Sequence, residues 1–518
     1  MGADQQGRLP APAGPLLIAS GPVAELISFA AQLRDLRTRR PDAPAVTCGG
    51  STLSRLELDR RSDALAVEFR RLGVGIGDMV TVALPNSVEW FVAIVALWKL
   101  GATPQPVSAR LPRPELEAVV ALADPVVVLG IDPDVLPGRV CLPIGYQPPD
   151  PAGPIELADA VSPAWKAPTS GGSTGRPKLI VSGDPGLIDP SVDAALLFSK
   201  DGCLVMPGPL YHNGPIVWAS FALLHGSHVV LLPRFDAEAT LAAMARHGAD
   251  VVYLVPTMMK RIWSLPPEVR TAYDLSALRV VWHLAEPCPP WLKEVWIEWL
   301  GPERIYELYA GTEAQLRTVI TGTEWLEHRG SVGRPTGGDV QICDPEGKVL
   351  PARAEGEVWL RSSRSTPAYR YVGAEARVRP GGWESLGDMG WLDEDGYLYL
   401  GDRAKDMILV GGSNVYPAEI ESALNEHPAV RSCAVIGLPD ADRGSRVHAI
   451  VEADPAEVGV DELIAFTAER LVAYKCPRTV EFVDTPLRDD AGKMRRSALR
   501  GTRIASGASE TTNMADGR

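Results

Sequence analysis

Ten consecutive residues, Thr169-Ser170-Gly171-Gly172-Ser173-Thr174-Gly175-Arg176-Pro177-Lys178, are followed by the apolar run Leu179-Ile180-Val181. The glycines let backbone N–H groups come close to a ligand, the hydroxyls donate hydrogen bonds, and Arg176 and Lys178 add positive charge. A polyphosphate needs that combination. The segment is not the common phosphate loop, in which lysine and a hydroxyl residue directly follow the second glycine; here Arg176-Pro177 intervene, and Pro177 removes a backbone donor. Composition alone also allows a flexible, hydroxyl-rich linker, so the surrounding elements must decide.

Those elements alternate. Apolar strand candidates at 45–47, 79–83, 126–129, 203–206, 228–232, 251–255 and 279–284 are separated by helical periods at 53–72, 87–100, 113–122, 237–247 and 289–300, after an amphipathic helix over 23–42. Alternation of this kind predicts parallel strands joined by crossover helices. Beyond about Gly330 the pattern changes to short strands near 340–342, 356–360 and 396–400, with an Asp393-Glu394-Asp395-Gly396 turn, which reads as a small barrel or mixed sheet. After Asp402, helices at 416–424 and 460–471 and strands at 430–436, 447–451 and 480–482 predict a compact α+β unit. The fold class is therefore α/β: a large N-terminal domain over 1–402 and a small C-terminal domain over 403–500. The stretch 501–518, rich in Gly, Ser and Thr, is expected to be a disordered tail.

The 518 residues exceed a single core. A net charge of −14 without a basic stripe argues against a nucleic-acid binder. The apolar run 88–98 is too short to cross a bilayer, and the first fifteen residues lack a signal pattern, so a cytoplasmic protein is expected. Seven cysteines without a Cys-x-x-Cys pair suggest reduced thiols, not a disulfide framework or a metal site.

Further clusters, in order, give the chain from about Arg37 to Arg500 a resemblance to the adenylate-forming superfamily of acyl-CoA synthetases, peptide-synthetase adenylation domains and luciferases. The glycine loop resembles its phosphate loop, with departures at Gly171 and Leu179. Glu307-Leu308-Tyr309-Ala310-Gly311-Thr312-Glu313 resembles its Y-G-x-T-E element, with Ala310 where glycine is usual. Gly387-Asp388, Asp402-Arg403 and Asp489-Asp490-Ala491-Gly492-Lys493-Met494-Arg495-Arg496 resemble its later motifs.

The resemblance implies roles. Ser170, Gly172, Ser173, Thr174, Gly175 and Lys178 would hold phosphates. Glu313, with Thr174, would bind Mg²⁺, which prefers oxygen ligands. Thr312 would sit beside the α-phosphate, Tyr309 would stack on adenine, and Ala310, Gly311 and Glu286 would complete the nucleotide site. Asp388 and Arg403 would take the ribose, as a carboxylate accepting both hydroxyls and a guanidinium nearby can. Lys493 would offset charge as a carboxylate attacks ATP. Lys405 or Asp402 would be the hinge of a rotating C-terminal domain, Gly412 would line a pantetheine tunnel after rotation, and His212 would stand between the acyl pocket and the thiol channel.

The implied reaction uses ATP, Mg²⁺ and CoA: a carboxylic acid becomes acyl-AMP with release of pyrophosphate, then a thioester with release of AMP. A carrier-protein thiol is the alternative acceptor, and a non-catalytic adenylate-binding protein the alternative class. The partners expected are small molecules, with no nucleic acid and a homodimer left open. His283 and Leu284 stand where glycines are common. With the Ser/Gly loop, the segment His283-Leu284-Ala285-Glu286-Pro287-Cys288-Pro289 resembles ligases for bulky acids, terpenoid- and steroid-like ones among them.

Overall fold

The structure, a computed structural model, describes residues 26–149, 155, 157–171, 177–190, 196–403, 406–410, 413–440, 444–488 and 494–505, with only the backbone of 402–403 and 413–414. A central sheet carries six parallel strands in the order Ile305–Tyr309, Val280–Leu284, Val251–Leu254, Cys203–Met206, His228–Leu231 and Pro44–Cys48. A second sheet of four parallel strands has the order Thr103–Pro106, Met79–Val82, Val127–Leu129 and Cys141–Leu142. Strands buried on both faces must be apolar throughout, as Val251-Val252-Tyr253-Leu254 and Val280-Val281-Trp282-His283-Leu284 nearly are.

The helix Val88–Lys99 lies inside this assembly, with only Glu89 outside the buried set. It packs through Trp98 on Phe29, with ring centroids 5.0 Å apart, and Phe29 in turn meets Phe221 of the helix Asn213–Leu224 at 6.3 Å. Expected and observed elements agree closely here: Cys203–Met206 and Ala237–His247 match at both ends. The expected helix from residue 53 instead begins at Arg55, because Ser51–Ser54 pairs antiparallel with Pro44–Cys48. Ser54 and Glu57 form a capping box that fixes the helix start.

At the other edge the central sheet turns antiparallel through Arg317–Thr321 and Ser331–Thr336. It continues into barrel-like strands that include Leu398–Arg403, Asp388–Leu392 and Gly356–Ser362. A separate three-stranded sheet, Tyr369–Val372, Pro177–Ser182 and Thr169–Gly171, carries both described flanks of the glycine loop. The small domain pairs Ser432–Asp440, Gly444–Glu452 and Thr479–Val483, with helices Pro417–Asn425 and Val460–Ala468. Its last helix, Arg496–Ala505, reaches five residues into the stretch expected as a tail. Arg503 explains the extension, since its guanidinium makes two 2.7 Å hydrogen bonds to Glu481 of the sheet. Among the described residues, no helix is long and apolar enough to cross a membrane.

Candidate active site

Antiparallel pairing sets Ser170 opposite Lys178 and Tyr371 opposite Ile180, so the flanks of the glycine loop and the strand Tyr369–Val372 form one surface. Lys178 Nζ donates to Glu313 Oε1 at 3.3 Å and lies 3.8 Å from the centroid of the Tyr371 ring. The Tyr371 hydroxyl donates to the same Glu313 oxygen. Burial, and then that bond to Glu313, raise the Tyr371 phenol, which stays a protonated donor at any ordinary pH. Both donors converge on Oε1, and no described group donates to Oε2.

Glu313 is 6% exposed and follows Gly311. A Cβ at Gly311 would run into the end of the Leu386 side chain, which would have to shift to make room. Ala310, where the resemblance expects glycine, is exposed and has no left-handed backbone, which is how the chain tolerates its side chain. Two other alanines of the cleft do adopt a left-handed conformation, Ala285 at φ 74° and Ala314 at φ 54°. His283 and Leu284, which stand where glycines are common, lie in the regular strand Val280–Leu284, just before Ala285.

The Tyr309 hydroxyl donates to Asp388 Oδ2 at 2.7 Å, and Asp388 is the ladder partner of Arg403. Those three positions are therefore neighbours through side chain and backbone. Glu286 has a different setting: its Oε2 accepts from Thr257 N at 3.1 Å and Thr257 Oγ1 at 2.8 Å, and its Oε1 is 3.7 Å from Arg488. It fastens the start of the helix Pro256–Trp263 and faces the small domain. His212 is the residue before the helix Asn213–Leu224, without a side-chain bond to the helix end, and its ring centroid is 4.2 Å from that of Tyr211.

Lys178, His212, Glu286, Tyr309, Glu313, Tyr371 and Asp388 line one cleft of about 2970 Å³, together with Ser170, Thr312 and, from the small domain, Arg488 and Arg496. One wall is apolar, made by Val217, Trp218, Phe221, Tyr253, Val255 and Met258. Gly172, Ser173, Thr174, Gly175, Lys405, Gly412 and Lys493 lie outside the described residues, as does the side chain of Arg403.

Sequence reasoning missed several residues of the cleft. Lys166 ends in it, 5% exposed, donating to Asn213 Oδ1 at 2.7 Å. Burial lowers its pKa to about 8. Behind the cleft, Lys293 Nζ donates to Glu307 Oε2 at 2.5 Å, with His283 Nε2 4.0 Å from the same oxygen. Burial, and then Lys293, hold His283 well below the ordinary imidazole range and so neutral. A lysine in an apolar run was the one available signal for each.

The carboxylate fits Mg²⁺: a buried oxygen ligand with one open atom, beside cations suited to phosphate, is what an ion shared with a nucleotide uses. Among the described residues there is no cluster of three His, Cys, Asp or Glu that would hold a metal by itself.

The AMP-binding enzyme family profile matches residues 33–370, and the profile of its C-terminal domain matches residues 419–493. The chain belongs to the AMP-binding enzyme family, the adenylate-forming acyl-CoA synthetases, and is an AMP-forming acid–thiol ligase by descent. Over 475 residues it is 32% identical to a feruloyl-CoA synthase of an Amycolatopsis species, covering 89% of this chain and 96% of that protein. The amide bond synthetase McbA from Marinactinospora thermotolerans is 28% identical, with a TM-score of 0.75, over 92% of this chain and 99% of that one. The anthranilate CoA ligase AuaEII, solved with anthranoyl-AMP, is 25% identical with a TM-score of 0.76, over 94% and 99%.

Proposed function

We propose that this protein activates a ring-bearing carboxylic acid with ATP and passes the acyl group to CoA. The observation that carries the reading is the meeting, in one cleft, of the Lys178–Glu313–Tyr371 knot, the Tyr309–Asp388 hydrogen bond and the apolar wall of the helix Asn213–Leu224. A polar half suits a nucleotide and an apolar half suits the body of an acid.

In the first step an oxygen of the acid attacks the α-phosphorus of ATP, the bond to pyrophosphate breaks, and acyl-AMP forms. Lys178 and the hydroxyls of the glycine loop, Ser170, Ser173 and Thr174, bind the phosphates. Asp388 and Arg403 hold the ribose, Tyr309 orients the base, and Lys493 offsets the charge that grows on the oxygens in flight. Magnesium, when bound, supplies a Lewis acid for the phosphates, with Glu313 as its protein ligand and Thr174 beside it. In the second step the sulfur of CoA attacks the acyl carbon and AMP leaves. His212, at the start of the acyl-side helix, separates the acid from the incoming thiol, and Gly412 lines the thiol's path once the domain of residues 403–500 has turned about Asp402 or Lys405.

The ring-bearing acid is supported by the feruloyl and anthranoyl groups in the names of two relatives. No relative named here supports the terpenoid or steroid expectation. A second reading concerns the acceptor: McbA, 28% identical over 92% of this chain, is an amide bond synthetase, so an amine stands beside a carrier-protein thiol as an alternative to CoA.

The test separates the half-reactions. Lys493→Ala is expected to lower acid-dependent ATP–pyrophosphate exchange by about 10²–10³-fold, while thioester formation from supplied acyl-AMP stays within severalfold of the parent. Equal loss of both would remove Lys493 from its role. Absence of acid-dependent pyrophosphate release from the parent, across a panel of ring acids, would end the ligase reading. Supplying CoA, a holo-carrier protein and an amine side by side assigns the acceptor.

A further inference from the structure

Three described lysines are at least nine-tenths buried: Lys99, Lys166 and Lys293. Burying an ammonium is costly unless it is paired. Lys99 is paired with Asp59 and Asp63, each at 2.7 Å, and Lys293 with Glu307. Lys166 is the exception. Its ammonium has a single hydrogen-bond acceptor, Asn213 Oδ1, and no carboxylate within ion-pair reach among the described residues. The carboxylates whose charge reaches it, Asp184 and Glu313, are engaged elsewhere, Asp184 with Arg364 and Glu313 with Lys178 and Tyr371. An ammonium has three donors, so two of them are unmet at the wall of a cleft.

The position of Lys166 argues against a phosphate as its missing partner. Asn213 opens the helix whose Val217, Trp218 and Phe221 form the apolar wall. The Lys166 Nζ lies 5.0 Å from the centroid of Trp165, whose ring packs on Phe221 at 5.6 Å. The cation that reaches Glu313 is instead Lys178, on the strand Pro177–Ser182. A second donor belongs to the apolar wall: the buried indole N–H of Trp218 has no acceptor among the described residues.

We propose that Lys166 determines acid specificity: held by Asn213, its ammonium takes an oxygen acceptor carried on the body of the acid, a hydroxyl or a second carboxylate remote from the carboxyl that is activated. The proposal rests on the ligase reading for the identity of the acid. A site that hydrogen-bonds such a group rejects the analogue lacking it, because the buried donor is then left unmet. The two oxygen functions differ in charge, and a carboxylate gains more from an ammonium than a hydroxyl does.

The experiment uses the full chain and a panel of ring acids: an unsubstituted acid, and its hydroxyl and carboxyl derivatives at each ring position. Binding is read by calorimetry without ATP, and turnover by pyrophosphate release with ATP and Mg²⁺. The parent is expected to favour at least one oxygen-bearing acid over its unsubstituted analogue by tenfold or more in Kd and in kcat/KM. Lys166→Met is expected to bring that ratio to about one. Lys166→Gln, which keeps a donor without charge, should retain a preference for hydroxyl and lose the added preference for carboxylate; it also serves if Lys166→Met fails to fold. A ratio that survives Lys166→Met, or a parent with no oxygen preference, overturns the proposal. So does a rise in KM for ATP of the same size with every acid, which would move Lys166 to the phosphate side. Lys166-dependent binding without pyrophosphate release upholds it while ending the ligase reading.

Discussion

Two sides of the cleft bury a lysine in opposite ways. At the back, Lys293 reaches Glu307 across the helix–sheet contact at 2.5 Å, and the pair is closed, with the neutral His283 beside it. At the acyl wall, Lys166 is nearly as deep and has an amide oxygen in place of a carboxylate. The closed pair neutralises its charge within the fold and has nothing left to offer a ligand. The open ammonium carries a desolvation penalty that only a partner from outside can relieve. Where a protein keeps such a penalty, function is the first place to look for the reason.

The largest expected effect tests the closed side. Lys293→Met strands the Glu307 carboxylate and should cost about 3–5 kcal/mol in urea unfolding. Lys166→Met strands nothing charged and should cost less than about 1 kcal/mol or even stabilise. Equal losses would break the comparison.

Next in size is a dependence on pH. The folded pKa of Lys166 is lowered to about 8 from 10.5, so between those values the unfolded chain binds more protons than the folded one. Stability should therefore rise as pH climbs from 8 to 10.5, by up to about 3 kcal/mol from this group, with the penalty fully present below 8. The rise measured for the parent should shrink by that amount in Lys166→Met and stay unchanged in a variant of the exposed Lys348.

The smallest effect belongs to the nucleotide side, where two donors already share Glu313 Oε1. Tyr371→Phe removes one of the two donors on Glu313 and leaves Lys178 in place. Pyrophosphate release should fall about tenfold, with the KM for magnesium moving and the KM for the acid unchanged, because a hydrogen bond to a charged group contributes about 1.5–3 kcal/mol at most. A shift in the acid's KM instead would assign Tyr371 to the acyl side.

Much of the nucleotide side could be read from the chain because its chemistry is local in sequence. The pairing of Ser170 with Lys178 follows from a short hairpin, and Glu313 sits a few residues after the strand Ile305–Tyr309. The acyl side was hidden by long range. Lys166 and Asn213 are 47 positions apart and meet only through packing, and the helix Asn213–Leu224 has no amphipathic period because it is buried on all sides. The strand Thr103–Pro106 escaped notice for a related reason: its two prolines argue against a strand, yet it lies at the edge of its sheet, where missing donors are tolerated. Ala285 went unnoticed because nothing in an alanine announces a positive φ.

The helix Val88–Lys99 has a practical consequence for anyone who would miniaturise this enzyme. Eleven of its twelve side chains are shielded on every side by two sheets and their partners. Trimming away either sheet would leave a greasy rod facing water, and the shortened product should clump instead of folding. The N-terminal domain thus has no smaller working module inside it, and engineering that aims at size has to start from the small domain.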